Sequence, residues 1–234
     1  MTQDKFIEEL KKINIIITDN QLKQLERYYE LLIEWNEKIN LTNIIQKEEV
    51  YLKHFYDSLT INKIIDLKKE KNICDIGTGA GFPGLVLKII FPNLHVTLVD
   101  SLNKRIIFLQ EVKKELKLDN LDIYHARIEE FAKENIEKFD IVTSRAVAKL
   151  PILLEYSIPM VKINKYFIAM KANAEEEIIE SKNALKILNS KIERVEKFEL
   201  PVEKSNRTLI KIIKITKTNS KYPRKNSEIK KRSL

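Results

Sequence analysis

The sequence predicts an α/β fold, in which a parallel sheet flanked by helices follows a separate helical segment. From residue 72 onward, short apolar runs typical of buried strands alternate with amphipathic stretches typical of helices. Residues 1–67 instead place apolar side chains at helical spacing. A chain of 234 residues is long enough for one α/β domain with an appendage and a sizeable core.

The N-terminal helical appendage is predicted to span residues 1–67. One helix starts near Thr18, a residue type that caps helices, and its apolar face continues to Ile39. A second helix is expected over residues 47–65, and the charged residues 68–71 link it to the sheet.

The sheet domain is predicted to span residues 68–217, and residues 218–234 form a basic C-terminal tail. Because the first five strands are separated by helices, we expect them to be parallel, with ligands at their carboxyl edge. The last two strands are expected to form a hairpin, although no glycine marks its turn. The seven predicted strands cover residues 73–76, 96–99, 122–125, 141–144, 166–170, 195–200 and 209–215.

The net charge of +8 is concentrated in the last part of the chain. Residues 203–234 hold eleven Lys or Arg against Glu203 and Glu228, so the preceding residues sum to about −1. This distribution favours a polyanionic substrate held through phosphate contacts, and a solvated tail without a partner is the alternative.

Other bulk properties exclude several classes of protein. Cys74 is the only cysteine, which rules out an intramolecular disulfide and a cysteine-rich metal site, and we expect no metal. No apolar run approaches the length of a membrane span, and the N-terminus lacks the order of a signal peptide. We therefore expect a cytoplasmic protein, and we expect it to be a monomer.

A glycine-rich loop follows the first predicted strand and indicates a nucleoside cofactor. Residues 75–84 read D-I-G-T-G-A-G-F-P-G, and Gly77, Gly79 and Gly81 let the backbone turn sharply close to a ligand. A helix is expected to start at Pro83. Asp100 ends the second strand, where a carboxylate can accept both hydroxyls of a ribose.

The same loop leaves two cofactors open. Gly79-x-Gly81-x-x-Gly84 matches the dinucleotide fingerprint, so a nicotinamide oxidoreductase is one alternative. Asp75 favours S-adenosylmethionine, because a carboxylate repels a pyrophosphate but suits the cationic sulfonium and amino groups. The glycine pattern D-x-G-x-G-x-G, which starts at Gly77, is that of class I methyltransferases.

Polar residues at the other strand ends complete the predicted site. Ile128 and Glu129 follow the third strand, where backbone amides and an acid can bind adenine, and Glu129 alternatively only stabilises a helix N-terminus. Arg145, after the fourth strand, is expected in the cleft between cofactor and substrate. Lys171 ends the fifth strand and is a second catalytic candidate.

The residues at the end of the fourth strand also exclude some kinds of methylation reaction. Ser144-Arg145-Ala146 lacks the acidic or Asn residue followed by Pro-Pro that is typical of exocyclic-amine methyltransferases, and Cys74 is the only thiol available for carbon-5 methylation. Guanine N7 needs neither device, because its in-plane lone pair attacks a methyl group directly. Arginine donors also match guanine O6.

Several motifs together resemble one family, the bacterial small-subunit rRNA guanine-N7 methyltransferases, also called glucose-inhibited division protein B. The resemblance covers nearly the whole chain and implies a class I, Rossmann-like, S-adenosylmethionine-dependent methyltransferase sheet. The motifs are W-N-x-x-I-N-L-T at 35–42, H-F-x-D-S at 54–58, the glycine loop at 75–84, L-V-D-S-x-x-K-R at 98–105, S-R-A at 144–146, Arg207 and Y-P-R-K at 222–225.

The resemblance implies methylation of N7 of one guanosine in a decoding-region hairpin of 16S rRNA, with the small ribosomal subunit as partner. It implies cofactor contacts at five positions: Gly77, Phe82, Ile128, Glu129 and Arg145. Arg207, Arg224 and Lys225 are expected to bind RNA.

Two residues of the N-terminal motifs are expected to be structural. His54 and Asp57, three residues apart on a helix, are expected to pair and pack the N-terminal helices onto the sheet, with RNA contact as the alternative. Trp35 is expected in the core. A non-catalytic RNA-binding or ribosome assembly factor, and a methyltransferase of small molecules, stay open as alternatives to rRNA methylation.

Overall fold

A seven-stranded sheet organises the computed structural model, which describes residues 1–234. The strands lie in the order β3-β2-β1-β4-β5-β7-β6; the first five are parallel, and β7 is antiparallel to both neighbours. Their bounds are β1 Asn72–Ile76, β2 His95–Asp100, β3 Leu121–His125, β4 Phe139–Arg145, β5 Val161–Lys171, β6 Ser190–Glu199 and β7 Asn206–Lys214. All seven predicted strands are confirmed, with bounds that differ by at most five residues.

Helices cover both faces of the sheet. They are α1 Gln3–Lys12, α2 Asp19–Ile39, α3 Lys47–Val50, α4 Asp57–Leu59, α5 Gly84–Ile90, α6 Asn103–Glu115, α7 Ile128–Glu134, α8 Leu150–Ser157, α9 Glu175–Glu180, α10 Lys182–Ile187 and α11 Asn226–Lys231. A π-helical segment, Tyr51–Tyr56, joins α3 to α4, and a 3₁₀ segment, Thr60–Lys63, follows. The helix predicted over residues 47–65 is therefore not one continuous α-helix.

The N-terminal helices share one hydrophobic core with the sheet. Helix α2 starts with a capping box between Thr18 and Gln21, and its Tyr28 is wholly buried. The Tyr28 ring stacks on Phe82 of the glycine loop at 5.5 Å between centroids, and its hydroxyl donates to the Ala80 carbonyl. The N-terminal segment therefore holds the glycine loop as well as covering the sheet.

Trp35 confirms its predicted place in this core. It is partly buried and packs against the core cluster of α2, α5 and α6, with 5.9 Å between its ring centroid and that of Phe108. Lys38 lies over the outer side of the indole.

The opposite face holds a second core, which the C-terminal tail joins. Tyr222 and Ile229 are buried there, and Arg224 forms an ion pair with Glu155 of α8 at 2.7 Å. The tail is therefore packed against the domain, and the alternative of a solvated tail is wrong for these residues. Helix α11 was not predicted from the sequence.

The hairpin of β6 and β7 is confirmed despite its lack of glycine. Val202 and Lys204 take the positive φ angles of 71° and 56° that the turn requires. A non-glycine residue in this region is strained by about 1–2 kcal/mol, which explains why the sequence pattern for the turn was weak.

Candidate functional site

Two adjoining cavities lie at the carboxyl edge of the sheet, and Ala146 lines both. The first has a volume of about 370 Å³ and the second a volume of about 470 Å³. Both sizes fall in the range of small-molecule sites. The first cavity is lined by Gly77, Asp100, Ser101, Arg105, Arg127, Ile128, Glu129, Ala146, Val147, Ala148, Ile152, Tyr156, Asn226 and Lys230.

Asp75 holds the glycine loop from beneath. Its Oδ2 accepts hydrogen bonds from the Thr78 hydroxyl at 2.6 Å and from the Gly84 amide at 2.8 Å. A Cβ at Gly84 would come within 2.9 Å of this oxygen, so only glycine lets the helix start so close to the strand.

The Asp75 side chain is wholly buried and does not line either cavity. Its Oδ1 has no hydrogen-bond partner, and burial raises the pKa of the carboxyl to about 7. Direct contact with a cofactor stays a prediction that depends on this unpaired oxygen. The observed role of Asp75 is to shape the loop.

Asp100 lines the first cavity, as predicted, and also holds the loop. Its Oδ2 accepts from the Gly79 amide at 2.9 Å, and its Oδ1 accepts from the Leu102 amide at 3.0 Å. Arg105 Nη1 pairs with Oδ2 at 3.1 Å. Ribose hydroxyls would compete with Arg105 for the Asp100 carboxylate. Arg105 is a side chain that can turn away, whereas the other two donors are backbone amides.

The third strand end supplies Ile128 and Glu129 to the first cavity, as predicted. Glu129 lies in the first turn of α7, is buried, and accepts a hydrogen bond from Arg127 Nε at 2.9 Å. Both predicted positions therefore hold for Glu129: its negative charge stabilises the N-terminus of α7, and its side chain also lines the cavity. Gly77 lines the cavity too, whereas Gly79 and Gly81 shape the loop behind it.

The C-terminal tail contributes a wall of the first cavity that the sequence did not indicate. Asn226 and Lys230 of α11 line it, and the Tyr156 hydroxyl donates to Asn226 Oδ1 at 2.7 Å. The only sequence signal was the Y-P-R-K motif just before these residues.

Arg145 lies in the second cavity and not among the residues that line the first. Its Nη1 donates to the Lys53 carbonyl at 2.8 Å and pairs with Asp57 Oδ2 at 3.1 Å, and its Nη2 contacts His54 Nδ1 at 3.2 Å. These three acceptors draw the guanidinium toward the N-terminal helices. Its predicted contact with the cofactor has no support from this geometry, whereas its place beside a substrate cavity has.

Phe82 lines neither cavity and packs against two residues of the second. One face stacks on the His54 imidazole at 4.4 Å, and the Arg145 guanidinium carbon is 5.2 Å from the ring centroid. Phe82 therefore links the cofactor loop to the second cavity, and its predicted cofactor contact stays a prediction.

His54 and Asp57 do not pair with each other, so that part of the prediction is wrong. Each instead contacts Arg145, and Asp57 Oδ1 also accepts from Arg207 Nε at 3.0 Å. The broader expectation is confirmed, because these contacts join the N-terminal helices to β4 and β7. Burial and the nearby Arg145 charge lower the pKa of His54 to about 3, so its imidazole is neutral.

Lys171 and Arg207 also line the second cavity. Lys171 Nζ donates to the Ala148 carbonyl at 2.6 Å and pairs with Glu177 at 2.7 Å. The Glu177 carboxylate therefore balances the charge of this ammonium. Arg207 is held by Asp57 and by the Asn206 carbonyl at 2.8 Å.

Arg224 is held by an ion pair inside the protein, and its predicted RNA contact stays a prediction. Its Nε, Nη2 and backbone amide all donate to Glu155, whose side chain is wholly buried. A buried carboxylate is strongly destabilising without a cationic partner, which explains why Arg224 is paired with Glu155. Lys225, in contrast, is exposed.

No group of three or more His, Cys, Asp or Glu side chains is arranged to hold a metal ion. No helix has the length and apolar character needed to cross a membrane.

The fold is that of class I methyltransferases. The solved structure of an S-adenosylmethionine-dependent methyltransferase from Aquifex aeolicus is similar to this one, with a TM-score of 0.52 and 18% identity. The match covers 73% of this chain and 94% of the Aquifex chain. M. jannaschii TYW2, solved in complex with AdoMet, matches 74% of the chain and 80% of its own, with a TM-score of 0.58 and 15% identity.

The sequence defines the family more narrowly. A model of the family "rRNA small subunit methyltransferase G" matches residues 21–209, and the chain belongs to this family. The ribosomal RNA small subunit methyltransferase G of Bacillus licheniformis is 51% identical over 96% of the chain and 95% of its own length. That of Bacillus subtilis is 50% identical over the same shares. The nicotinamide alternative is therefore not favoured.

Proposed function

We propose that this protein transfers a methyl group from S-adenosylmethionine to N7 of one guanosine in a decoding-region hairpin of 16S rRNA. Family membership supports the reaction class, since the most similar relatives described above carry the name of ribosomal RNA small subunit methyltransferase G. The observation that carries the mechanism is the pair of adjoining cavities, one beside the glycine loop and one beside Arg145.

The first cavity has the size of a small-molecule site and lies beside the glycine loop. Gly77, Asp100, Ile128 and Glu129 would hold S-adenosylmethionine, which supplies an electrophilic methyl group on a sulfonium. The two carboxylates of the wall are paired with Arg105 and Arg127, so the choice of this cofactor over a dinucleotide is supported by family membership rather than by the charge of the cavity.

The second cavity suits an electron-rich base beside a polyanion. Its ionisable side chains are four cations, Lys53, Arg145, Lys171 and Arg207, together with His54 and Asp57. We expect Arg145, and secondarily Lys171, to donate to guanine O6 while N7 attacks the methyl group.

The mechanism needs no general base, because guanine N7 carries no proton. Position supplies the acceleration: the cavity would hold the base in line with the methyl group. The reaction moves the positive charge of the sulfonium onto the guanine. The neutral imidazole of His54 is consistent with a role in holding Arg145 rather than in proton transfer.

Phosphate contacts are assigned to two cations: Arg207, which lines the second cavity, and Lys225, which lies on the exposed surface of the tail. With rRNA as the substrate, we expect the protein to act in the cytoplasm, and we expect it to do so as a monomer.

The test is a product analysis with labelled S-adenosylmethionine and unmodified small ribosomal subunits, or their deproteinised RNA. Labelled 7-methylguanosine from a single site is the expected result. Label in another nucleoside would refute the guanine-N7 mechanism, and no label despite S-adenosylhomocysteine binding would favour a non-catalytic RNA-binding or assembly factor. Arg145→Ala should lower kcat about 100-fold or more while cofactor binding persists, and an unchanged kcat would remove Arg145 from the mechanism.

A further inference from the structure

Asp57 is a buried carboxylate that serves two arginines of the second cavity. Its Oδ2 pairs with Arg145 Nη1 at 3.1 Å, and its Oδ1 pairs with Arg207 Nε at 3.0 Å. Arg145 comes from the end of β4, and Arg207 comes from the start of β7. One carboxylate of the N-terminal segment therefore fixes the spacing of two cations from separate strands.

The local backbone prepares this arrangement. In the π-helical segment, the Asp57 amide donates to the carbonyls of His54 and Leu52 rather than to Lys53, which an α-helix would use. The Lys53 carbonyl instead accepts from Arg145 at 2.8 Å. The irregular helix thus supplies Arg145 with a backbone acceptor in addition to the carboxylate.

A chain of hydrogen bonds fixes the remaining side of Arg145. Asn36 Oδ1 accepts from the Thr42 amide at 2.8 Å, and Thr42 Oγ1 is 2.9 Å from His54 Nε2. His54 Nδ1 lies 3.2 Å from both Arg145 Nη2 and the Lys53 carbonyl. Because a guanidinium only donates, the tautomer with its proton on Nε2 is the one in which Nδ1 accepts from Arg145. The two N-terminal motifs therefore converge on this one guanidinium.

Donors remain available for a ligand after these contacts. Arg207 uses Nε and Nη1 within the protein, and its Nη2 makes no hydrogen bond there. A guanidinium has five N–H donors, so Arg145 also keeps donors beyond its three acceptors. A nucleotide presents two kinds of acceptor to such a pair: oxygen on the base and oxygen on the flanking phosphate.

We propose that Asp57 is a positioning residue, which orients Arg145 toward the target base and Arg207 toward a phosphate of the same RNA. This inference rests on the proposed function, because it assigns the two acceptors to a nucleotide substrate. Asp57 acts through the arginines and does not touch the substrate itself.

The test is Asp57→Asn, which keeps the size of the side chain but replaces one carboxylate oxygen with an NH2 group and removes the negative charge that both arginines share. We expect kcat to fall about tenfold or more and KM for the RNA to rise, because both arginines lose their fixed position. S-adenosylhomocysteine affinity should stay within about twofold, since Asp57 does not line the first cavity. Asp119→Asn, at an exposed site, is the matched control.

A double-mutant cycle separates positioning from general stability. If Asp57 acts through Arg207, Asp57→Asn should raise KM for RNA much less in an Arg207→Met background than in the native protein. Additive effects, unchanged kinetics, or losses of cofactor affinity and Tm that parallel the loss of activity would each overturn the inference. The cycle is measured on whichever nucleoside the native enzyme methylates, so a failure of the guanine-N7 proposal is recognised separately.

Discussion

The ion pair between Arg224 and Glu155 should control both the stability of the tail and the affinity of the first cavity. Glu155 is wholly buried on α8, and it accepts from Arg224 Nε at 2.8 Å, Nη2 at 2.7 Å and the Arg224 backbone amide at 2.9 Å. Arg224→Ala removes the two charged donors and leaves only the backbone amide.

The expected magnitude follows from the uncompensated carboxylate. Removing one partner of a buried ion pair costs about 3–5 kcal/mol. Because Arg224 is partly exposed and the backbone donor stays, we expect the lower end, about 3 kcal/mol. For a chain of this size, that lowers Tm by about 6–12 °C.

The loss should extend to the cofactor. When the tail releases its anchor, Asn226 and Lys230 lose their fixed place in the cavity wall. We therefore expect weaker S-adenosylhomocysteine binding in titration calorimetry together with the lower Tm in a thermal melt. Lys225→Ala changes the exposed neighbour and serves as the control. A Tm within about 1 °C of the native value, with unchanged affinity, would refute the reasoning.

Two further predictions concern the glycine loop and His54. Gly84→Ala should destabilise by about 3 kcal/mol, the upper end for overpacking, because its Cβ would clash with Leu98 Cδ2 and lie 2.9 Å from Asp75 Oδ2. Gly79→Ala meets no atom and should cost only the strain of its positive φ, about 1–2 kcal/mol; a loss at Gly84 no larger than that at Gly79 in urea unfolding would contradict this. In the folded protein the pKa of His54 is lowered to about 3. Below about pH 6.5 the unfolded chain therefore binds a proton at this residue, whereas the folded chain does not. The free energy of unfolding should therefore fall from this source as pH drops from about 6.5 toward 3, and His54→Gln should show a smaller fall between pH 7 and pH 5; an identical fall would show that His54 is not the group responsible.

The sequence predicted what local patterns determine. Strands β1 to β5 are recognisable as apolar runs in the sequence. The glycine loop needs glycine because of its backbone conformation, and glycines can be read directly from a sequence. The carboxylate of Asp100 and the first turn of α7 lie beside the first cavity because both follow strand ends, whereas their contact with a cofactor stays a prediction.

Contacts between distant side chains were not predictable in the same way. Arg224 and Glu155 lie 69 residues apart, and Asp57 and Arg207 lie 150 residues apart. A basic residue in a tail looks available for RNA until a buried acid is found against it. Likewise, Arg145 follows its strand as expected, but acceptors on the N-terminal helices decide which cavity it lines.

The wall formed by Asn226 and Lys230 is the last part of the first cavity to be synthesised. Ribosomes build chains from the N-terminus, so every strand of the sheet emerges before these two residues do. A nascent chain with a formed sheet therefore has a cofactor cavity open on one side. Ligand binding stabilises a state in proportion to its affinity for that state, so we expect cofactor to protect the protein from degradation more strongly after the tail has docked than before.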